Sequence, residues 1–151
     1  MNSLVDFYKY NKDLRIKKEN DRQYIWCVIR KKYLVLQPEE LVRQLILISF
    51  IKEGLYPSSL IQVEKGIVIN GLRKRFDIIV YDRKIQPFML VECKSYKNML
   101  AQNAIDQAAI YNIALKAPYL FITNGITAIC ASINFPDGTY FIMDKMPKLN
   151  K

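Results

Sequence analysis

The chain has 151 residues, 51% of them apolar and 25% charged, so it can bury one substantial core and has little room for a second domain. Lys and Arg outnumber Asp and Glu by 23 to 14, and the net charge of +9 favours polyanionic partners or, more simply, a well-solvated surface. The absence of histidine excludes His-dependent catalysis, and the three isolated cysteines argue against a zinc cluster or a disulfide framework. Any catalysis must use carboxylates, Lys, Tyr, Ser or Thr, and carboxylates point to a hard metal ion such as Mg²⁺.

The sequence predicts neither a membrane span nor a secretory signal. The longest apolar run, residues 45–51, is interrupted by Ser49 and is far shorter than the roughly 20 residues that cross a bilayer. The N-terminus lacks a basic start followed by an apolar stretch. We therefore expect a cytoplasmic protein with no membrane partner.

The N-terminal third of the chain changes character at Pro38. Residues 1–36 are basic and rich in aromatic residues, and we interpret them as an N-terminal extension packed on a core domain of residues 37–151. A helix is predicted to begin at Pro38, whose missing N–H is not needed in a first turn. Glu39 and Glu40 suit the positive end of the helix dipole, and Gly54 is a plausible terminator.

The remaining elements alternate between strands and one helix. Segments rich in β-branched and aromatic residues predict strands at 61–69, 75–81, 88–94, 119–123, 126–133 and 139–143. Small residues at helical spacing predict a helix over 98–116 that lies close against a sheet. Asn124-Gly125 indicates a hairpin turn. Because 88–94, 98–116 and 119–123 form a strand–helix–strand crossover, we expect an α/β fold with a mixed sheet flanked by helices.

Charged residues interrupt two neighbouring apolar strands. Glu92 and Lys94 share one face of their strand while Cys93 points the other way, and Asp77 interrupts the preceding strand. If residues 82–87 form the turn, paired numbers sum to 169, so Tyr81 faces Phe88 and Asp77 lies opposite Glu92, about 5 Å away between Cβ atoms. Such close carboxylates need a proton or a divalent cation between them. A buried ion pair that merely supports the strands is the alternative.

This arrangement suits phosphodiester hydrolysis. The reaction needs an activated water and stabilisation of the negative charge that develops on the phosphate. A carboxylate-bound Mg²⁺ supplies both, and Lys94 beside it would hold the water or stabilise the charge.

The spacing of these residues resembles the D…(D/E)-x-K motif of the PD-(D/E)XK, or restriction-endonuclease-like, superfamily. Gln107 and Tyr111 are similar to the Q-x-x-x-Y element of its RecB-like branch, and they share one helix face. Over residues 25–145 the ordered pattern resembles the N-terminal nuclease domain of type I restriction enzyme R subunits. The matching segments are Pro38-Glu39-Glu40, Val42-Arg43-Gln44, Glu64, Arg75-Phe76-Asp77, Glu92-Cys93-Lys94, Gln107 to Tyr111 and Thr123-Asn124-Gly125. The resemblance implies an αβββαβ core with a C-terminal hairpin.

The resemblance also implies roles for individual residues. Asp77, Glu92 and the Cys93 backbone carbonyl would ligate Mg²⁺, for which Mn²⁺ can substitute, and Lys94 would serve the attacking water. Glu40 resembles an additional acidic residue of the family, although an ordinary first-turn glutamate fits equally well. Gln107 and Tyr111 would organise the site and contact a phosphate, unless they are a helix edge packed on the sheet. Glu64 is interpreted as a structural strand residue.

The implied function is a Mg²⁺-dependent DNA endonuclease of a restriction or defence system. Arg73, Lys74 and Arg75 would grip the nucleic-acid backbone at the rim of the site, with an ordinary basic turn as the alternative. R subunits carry an ATP-driven motor after this domain, whereas the present sequence ends at Lys151. A separate motor or specificity protein is therefore an expected partner, unless the domain acts alone. The alternative function is a non-catalytic nucleic-acid-binding or partner-dependent subunit that retains the nuclease fold.

Overall fold

Nine strands and two α-helices follow one another through residues 6–150, the part of the chain that this computed structural model describes. Residues 1–5 of the predicted N-terminal extension and Lys151 lie outside the described residues. In chain order the elements are β1 (Ile16–Glu19), β2 (Arg22–Cys27), β3 (Lys32–Val35), α1 (Pro38–Lys52), β4 (Ile61–Ile69), β5 (Leu72–Tyr81), β6 (Pro87–Cys93), α2 (Ala104–Leu115), β7 (Tyr119–Thr123), β8 (Ala128–Asn134) and β9 (Thr139–Met143). Short 3₁₀ segments occupy Tyr8–Asp13 and Ser58–Leu60. None of the helices within the described range is long and apolar enough to cross a membrane.

The six strands from β4 to β9 form one mixed sheet in sequence order, which confirms the predicted α/β class. Only the β6–β7 pair is parallel within the described sheet, because α2 carries the chain across one face between these two strands. The remaining neighbours are antiparallel and joined by tight turns. The order α1-β4-β5-β6-α2-β7, followed by the β8–β9 hairpin, is the predicted αβββαβ core with its C-terminal hairpin.

The two helices bury opposite faces of this sheet. Val42, Ile46 and Phe50 of α1 share one apolar cluster with alternate residues of the central strands, including Ile78 and Val91. The other cluster joins α2 to the opposite face. Its fully buried members are Phe76, Ile79, Leu90, Ala104, Ile105, Ala108, Ala117, Leu120, Ile122 and Ala131. The small side chains of Ala104 and Ala108 let α2 lie close to the sheet, as the sequence predicted.

Helix α1 begins and ends where local chemistry favours it. Gln37 is extended, Pro38 occupies the first turn, and Glu39 and Glu40 follow near the positive end of the dipole. The helix ends at Lys52, and Gly54 adopts φ +67°, a left-handed conformation that favours glycine. Ten side chains of α1 are buried, all of them between Glu40 and Phe50, and they include the polar residues that approach the candidate site.

The predicted N-terminal extension contains structure that the sequence analysis did not identify. Strands β1, β2 and β3 form a separate three-stranded antiparallel sheet. Phe7, Tyr10 and Cys27 belong to the same apolar cluster as α1. The described part of the extension is therefore joined to the core through buried side chains.

The prediction of a helix over 98–116 was wrong at its start, since α2 begins at Ala104. Residues between β6 and α2 form a loop that is held by specific hydrogen bonds. The Asn98 N–H donates to the Ser95 carbonyl at 3.2 Å, and the Asn124 side-chain amide donates to the Asn98 carbonyl at 2.8 Å. These tertiary contacts override the helix propensity of the segment.

The predicted register of β5 and β6 is correct along the middle of the pair. Ile78 faces Val91, Ile79 faces Leu90 and Val80 faces Met89, so their numbers sum to 169. An irregularity between Val80 and Tyr81 then pairs Tyr81 with Pro87, which corrects the predicted Tyr81–Phe88 pair. The paired residues end at Ile78 and Val91, so the predicted pairing of Asp77 with Glu92 stays a prediction.

Candidate active site

Asp77 lies in the middle of β5 and connects this strand to the end of β6 and to α1. Its Oδ2 atom accepts the backbone N–H of Cys93 at 2.8 Å, and its Oδ1 atom accepts a hydrogen bond from the Arg43 guanidinium at 2.9 Å. Asp77 and Ile78 both face the α1 side, since Ile78 lies in the α1 cluster. Phe76 lies in the α2 cluster, so the regular alternation of side chains is interrupted at Asp77.

Glu92 and Lys94 lie at the end of β6. The Lys94 Nζ atom is 3.4 Å from Glu92 Oε2, and Cys93 between them is buried in the α1 cluster on the other side. Burial raises the pKa of the Glu92 carboxyl, and the negative charge of Asp77 raises it further, whereas the charges of Lys94 and Lys74 lower it only in part. The positive charge around the buried Glu92 carboxyl is therefore too small to bring its pKa back to the ordinary value.

Arg43 of α1 occupies the centre of the acidic cluster. Its guanidinium contacts Glu40 at 2.8 Å, Asp77 at 2.9 Å and Glu64 at 3.0 Å, so one cation joins α1, β4 and β5. Only 7% of the Arg43 side chain is exposed. Burial opposes its charge, but the three carboxylates raise the pKa of Arg43 above its ordinary value, so the guanidinium stays charged.

Glu64 of β4 is one of the three carboxylates that contact Arg43. It is a non-glycine residue with φ +50° in the middle of β4, a conformation that costs on the order of 1–3 kcal/mol. Its carboxylate forms ion pairs with Arg30 and Arg43. Burial alone would raise the pKa of Glu64, but the charges and hydrogen bonds of Arg43 and Arg30 lower it below its ordinary value. The strained backbone thus places the Glu64 carboxylate against two arginines.

Glu40 is positioned by its own helix. Its two oxygens accept hydrogen bonds from Arg43 at 2.8 Å and from the Gln44 amide at 2.9 Å. Gln44 in turn accepts the backbone N–H of Val28 at 3.1 Å, which connects α1 to the turn between β2 and β3. Glu40 therefore reaches Asp77 through Arg43.

The residues predicted on α2 lie on the opposite side of the sheet from α1. Tyr111 is partly exposed, and the Lys74 Nζ atom lies 3.8 Å from the centre of its ring. The charge of Lys74 also lowers the pKa of Glu92, so this lysine interacts both with Tyr111 and with the Glu92 side of the site. Gln107 is exposed one turn before Tyr111.

The predicted basic rim lies on β5 before Asp77. Arg73 and Arg75 are exposed, and Lys74 between them is half-buried. The Arg75 guanidinium is 3.7 Å from Glu64, which draws it toward the acidic cluster. All three cations precede Asp77 on β5, and their predicted contact with a nucleic-acid backbone stays a prediction.

The side chains available for a metal ion can be compared with what Mg²⁺ requires. No group of three or more His, Cys, Asp or Glu side chains within residues 6–150 is disposed to hold a metal. Arg43 accounts for this, because it fills the space between Glu40, Glu64 and Asp77. However, Mg²⁺ is often bound by only one or two carboxylates together with water and substrate phosphate. Asp77 and Glu92 fit that requirement, since a divalent cation would stabilise the ionised form of Glu92, which burial and the charge of Asp77 disfavour.

Sequence reasoning missed Arg43 and Arg30 as members of the site. The available signal for Arg43 was its position three residues after Glu40, which places both side chains on one helix face. Arg30 gave no comparable signal, since its partner Glu64 lies far along the chain. Glu64 was interpreted as a structural residue, and its ion pairs with two arginines agree with that interpretation.

Comparisons with known proteins agree with this architecture. A fragment described as an HsdR subunit of a type I restriction enzyme from Vibrio vulnificus YJ016 superposes with a TM-score of 0.54 at 18% sequence identity. The match covers 74% of this chain and 24% of that chain, so the present sequence spans about a quarter of its length. At this identity the likeness shows a shared fold. A comparison with curated proteins gave no match.

The fold is therefore that of a mixed α/β domain found in a restriction-enzyme subunit. Residues 38–147 match the family described as type I restriction enzyme R protein N terminus (HSDR_N). The chain belongs to this family, which links it to type I restriction systems.

Proposed function

We propose that this chain is a Mg²⁺-dependent nuclease domain that hydrolyses DNA phosphodiester bonds in a restriction or defence system. The observation that carries the proposal is the buried Glu92 carboxyl beside Asp77, with Lys94 at 3.4 Å. A protein that only bound a polyanion would gain nothing from acidic side chains facing it. Membership of the R protein family supports the restriction context.

The proposed metal ligands are the carboxylates of Asp77 and Glu92 and the backbone carbonyl of Cys93. Asp77 already accepts two hydrogen bonds, but an ionised carboxylate offers about four lone-pair sites, so acceptor capacity remains. When bound, Mg²⁺ would lower the pKa of a coordinated water and neutralise phosphate oxygens. The protein's part is to hold these ligands in place, which Arg43 and the Cys93 N–H do for Asp77.

Lys94 is proposed to act on the attacking water. Its side chain is 48% exposed while Glu92 beside it is 10% exposed, so the ammonium stands at the boundary between solvent and the buried carboxylate. From there it can donate a hydrogen bond to the water and stabilise the negative charge of the transition state. Lys74, whose ammonium lies over the Tyr111 ring, is proposed to contact a phosphate on the α2 side of Glu92.

The proposal is tested by cleavage of supercoiled, linear and single-stranded DNA in Mg²⁺, Mn²⁺ or EDTA. Asp77→Asn and Lys94→Met are compared with Asp144→Asn and Lys97→Met, which change an exposed aspartate and an exposed lysine outside the site. We expect metal-dependent cutting that falls by roughly 10²–10⁴-fold in the two site variants and is unchanged in the controls. Equal cutting by wild type and both site variants would refute the assignment.

A partner-dependent subunit is the second candidate, favoured by the observation that no group of three or more His, Cys, Asp or Glu side chains within residues 6–150 is disposed to hold a metal. If the wild type leaves every DNA intact, titration calorimetry with Mg²⁺ separates the remaining cases. Binding that is lost in Asp77→Asn means a competent site that requires a partner. No binding means that the acidic cluster is a structural ion-pair network.

A further inference from the structure

The outer face of the N-terminal sheet carries three half-buried aromatic side chains, and two basic side chains lie over their rings. Antiparallel pairing places Trp26 opposite Tyr33, and Lys17 opposite Tyr24. The intervening residues Ile25 and Cys27 point inward and are fully buried. Solvent faces of antiparallel sheets are usually polar, so an aromatic outer face requires an explanation.

Cations lie over these rings. The Arg15 guanidinium is 4.7 Å from the centre of the Trp26 ring, and the Lys17 ammonium is 4.3 Å from the centre of Tyr33. Trp26 and Tyr33 meet edge to face with their centres 5.1 Å apart. Arg22 adds a third exposed cation at the end of β2. The face thus combines flat π surfaces with positive charge.

The acidic side chains near this face are few. Glu19 pairs with Lys17 at 3.1 Å, and Asp21 lies 3.8 Å from Lys18 in the β1–β2 turn. These contacts are exposed and are easily exchanged for phosphate contacts. With a net charge of +9 on the whole chain, the face is suited to a polyanion that also has planar groups.

From this arrangement we infer that the outer face of the β1–β2–β3 sheet binds single-stranded DNA, with bases stacking on Trp26, Tyr24 and Tyr33 and phosphates contacting Arg15, Lys17 and Arg22. Unpaired bases expose their π faces, whereas duplex DNA hides them. An exposed cation–π contact is weaker than base–aromatic stacking, so an incoming base can displace Arg15 from the Trp26 ring toward a phosphate.

The position of this sheet connects it with the candidate active site. The Trp26–Tyr33 pair lies beside the β2–β3 turn, and within that turn Arg30 forms an ion pair with Glu64 and the Val28 N–H donates to Gln44. A strand bound on the outer face therefore has one end near the acidic cluster. The inference extends the proposed nuclease function by naming the form of DNA that the protein holds, but its test requires no cleavage.

Trp26 is the one tryptophan of the chain, so its fluorescence reports on the proposed contact directly. The full chain is titrated in EDTA with an oligothymidylate of about 12 nucleotides, with a duplex of the same length, and with inorganic polyphosphate. We expect the single strand to quench Trp26 strongly, and the duplex and the polyphosphate to quench it much less. Saturable binding of the single strand without quenching, or equal quenching by the duplex, would overturn the inference.

Two sets of variants separate stacking from charge in anisotropy measurements with a labelled oligothymidylate. Trp26→Ala should weaken single-strand binding roughly tenfold and leave polyphosphate binding unchanged, and Trp26→Phe should restore most of the loss. Lys17→Gln with Arg22→Gln should lower the slope of log K against log salt by about 1.4, on the basis of roughly 0.7 for each phosphate contact. Unchanged single-strand affinity in Trp26→Ala would refute the stacking contact.

Arg83→Gln with Lys84→Gln is the matched control, because it removes two exposed cations from the β5–β6 turn instead. Equal loss of affinity in this control would show a non-specific charge effect and overturn the assigned face. Since all titrations contain EDTA, their failure would leave a positive cleavage result standing. Conversely, quenching without cleavage would support the binding face while the nuclease proposal failed.

Discussion

Replacing Arg43 by methionine removes the cation that joins three carboxylates while retaining an unbranched side chain. Glu40, Glu64 and Asp77 would then remain near one another, with Arg30 and the exposed Arg75 as the remaining cations close to Glu64. Removing one partner of a buried ion pair costs about 3–5 kcal/mol, because the other charge stays buried without compensation. Domains of this size have free energies of unfolding of about 5–15 kcal/mol, so the loss would be a large fraction of the total.

Arg75→Met is a matched control for this prediction, since Arg75 also approaches Glu64. Its side chain is 70% exposed and 3.7 Å from the carboxylate, whereas the Arg43 side chain is 7% exposed and 3.0 Å away. An exposed ion pair contributes roughly 0–1 kcal/mol. The two variants therefore each remove an arginine that pairs with Glu64, a buried one in Arg43→Met and an exposed one in Arg75→Met.

The effect should depend on pH in a defined direction. The folded-state pKa of Glu64 is lowered by Arg43 and Arg30, so its contribution to stability is present above the ordinary pKa and is lost as pH falls through the lowered value. In Arg43→Met that contribution is much reduced. The difference between wild type and variant should therefore be largest at neutral pH and should shrink as the solution is made acidic.

Urea unfolding followed by circular dichroism, near pH 7 and near pH 4, measures both effects. We expect Arg43→Met to lower the free energy of unfolding by about 3–5 kcal/mol near neutral pH, and Arg75→Met by less than about 1 kcal/mol. If the two variants are equally stable near neutral pH, the buried network contributes nothing beyond a surface pair. The central role assigned to Arg43 would then be wrong.

Three further predictions follow from the burial and backbone geometry of single residues. Because the folded-state pKa of Glu92 is raised, ionisation of this carboxyl opposes folding when the pH is above the raised pKa. Glu92→Gln should therefore raise the melting temperature in EDTA near pH 8 but not near pH 4. An equal shift in melting temperature at both pH values would contradict this cause. Gly125 has φ +85°, and an added Cβ would lie 3.4 Å from Val42 Cγ2. Gly125→Ala should therefore lower the free energy of unfolding in urea by about 1–2 kcal/mol. An unchanged midpoint of urea unfolding would show that the turn relaxes. Burial raises the pKa of Cys130 to about 12 and that of Cys93 well above its ordinary value. A thiol reagent should therefore modify neither cysteine in the native protein and both in urea. Rapid modification of either cysteine in the native protein would show that the core opens.

The core topology was predictable because its elements have strong local signals. Pro38 and Gly54 define α1, and alternating apolar residues and turn signals define the strands from β4 to β9. The start of α2 was not predictable from propensity, since the Asn98 carbonyl is bound by Asn124 from a distant turn. Local sequence indicates which segments are able to form helices, but a tertiary hydrogen bond decides where this helix begins.

The N-terminal sheet shows the same limit for strands. β1 and β3 contain four residues each, too few for a clear alternation, and their outward residues are basic and aromatic. Pairing places Tyr24, Trp26 and Tyr33 on the outer face, which only the register reveals.

The sequence by itself determined the order of elements from α1 to β9, the crossover between β6 and β7, and the positions of Asp77, Glu92 and Lys94 in or directly after two neighbouring strands. These features depend on periodicity and spacing, which are local properties of the chain. Only the tertiary structure decided that Arg43 lies between Glu40, Glu64 and Asp77, since these contacts join α1 to two strands more than 20 residues away along the chain. Charge pairing across the fold depends on packing geometry, and no local pattern encodes which cation a buried carboxylate will meet.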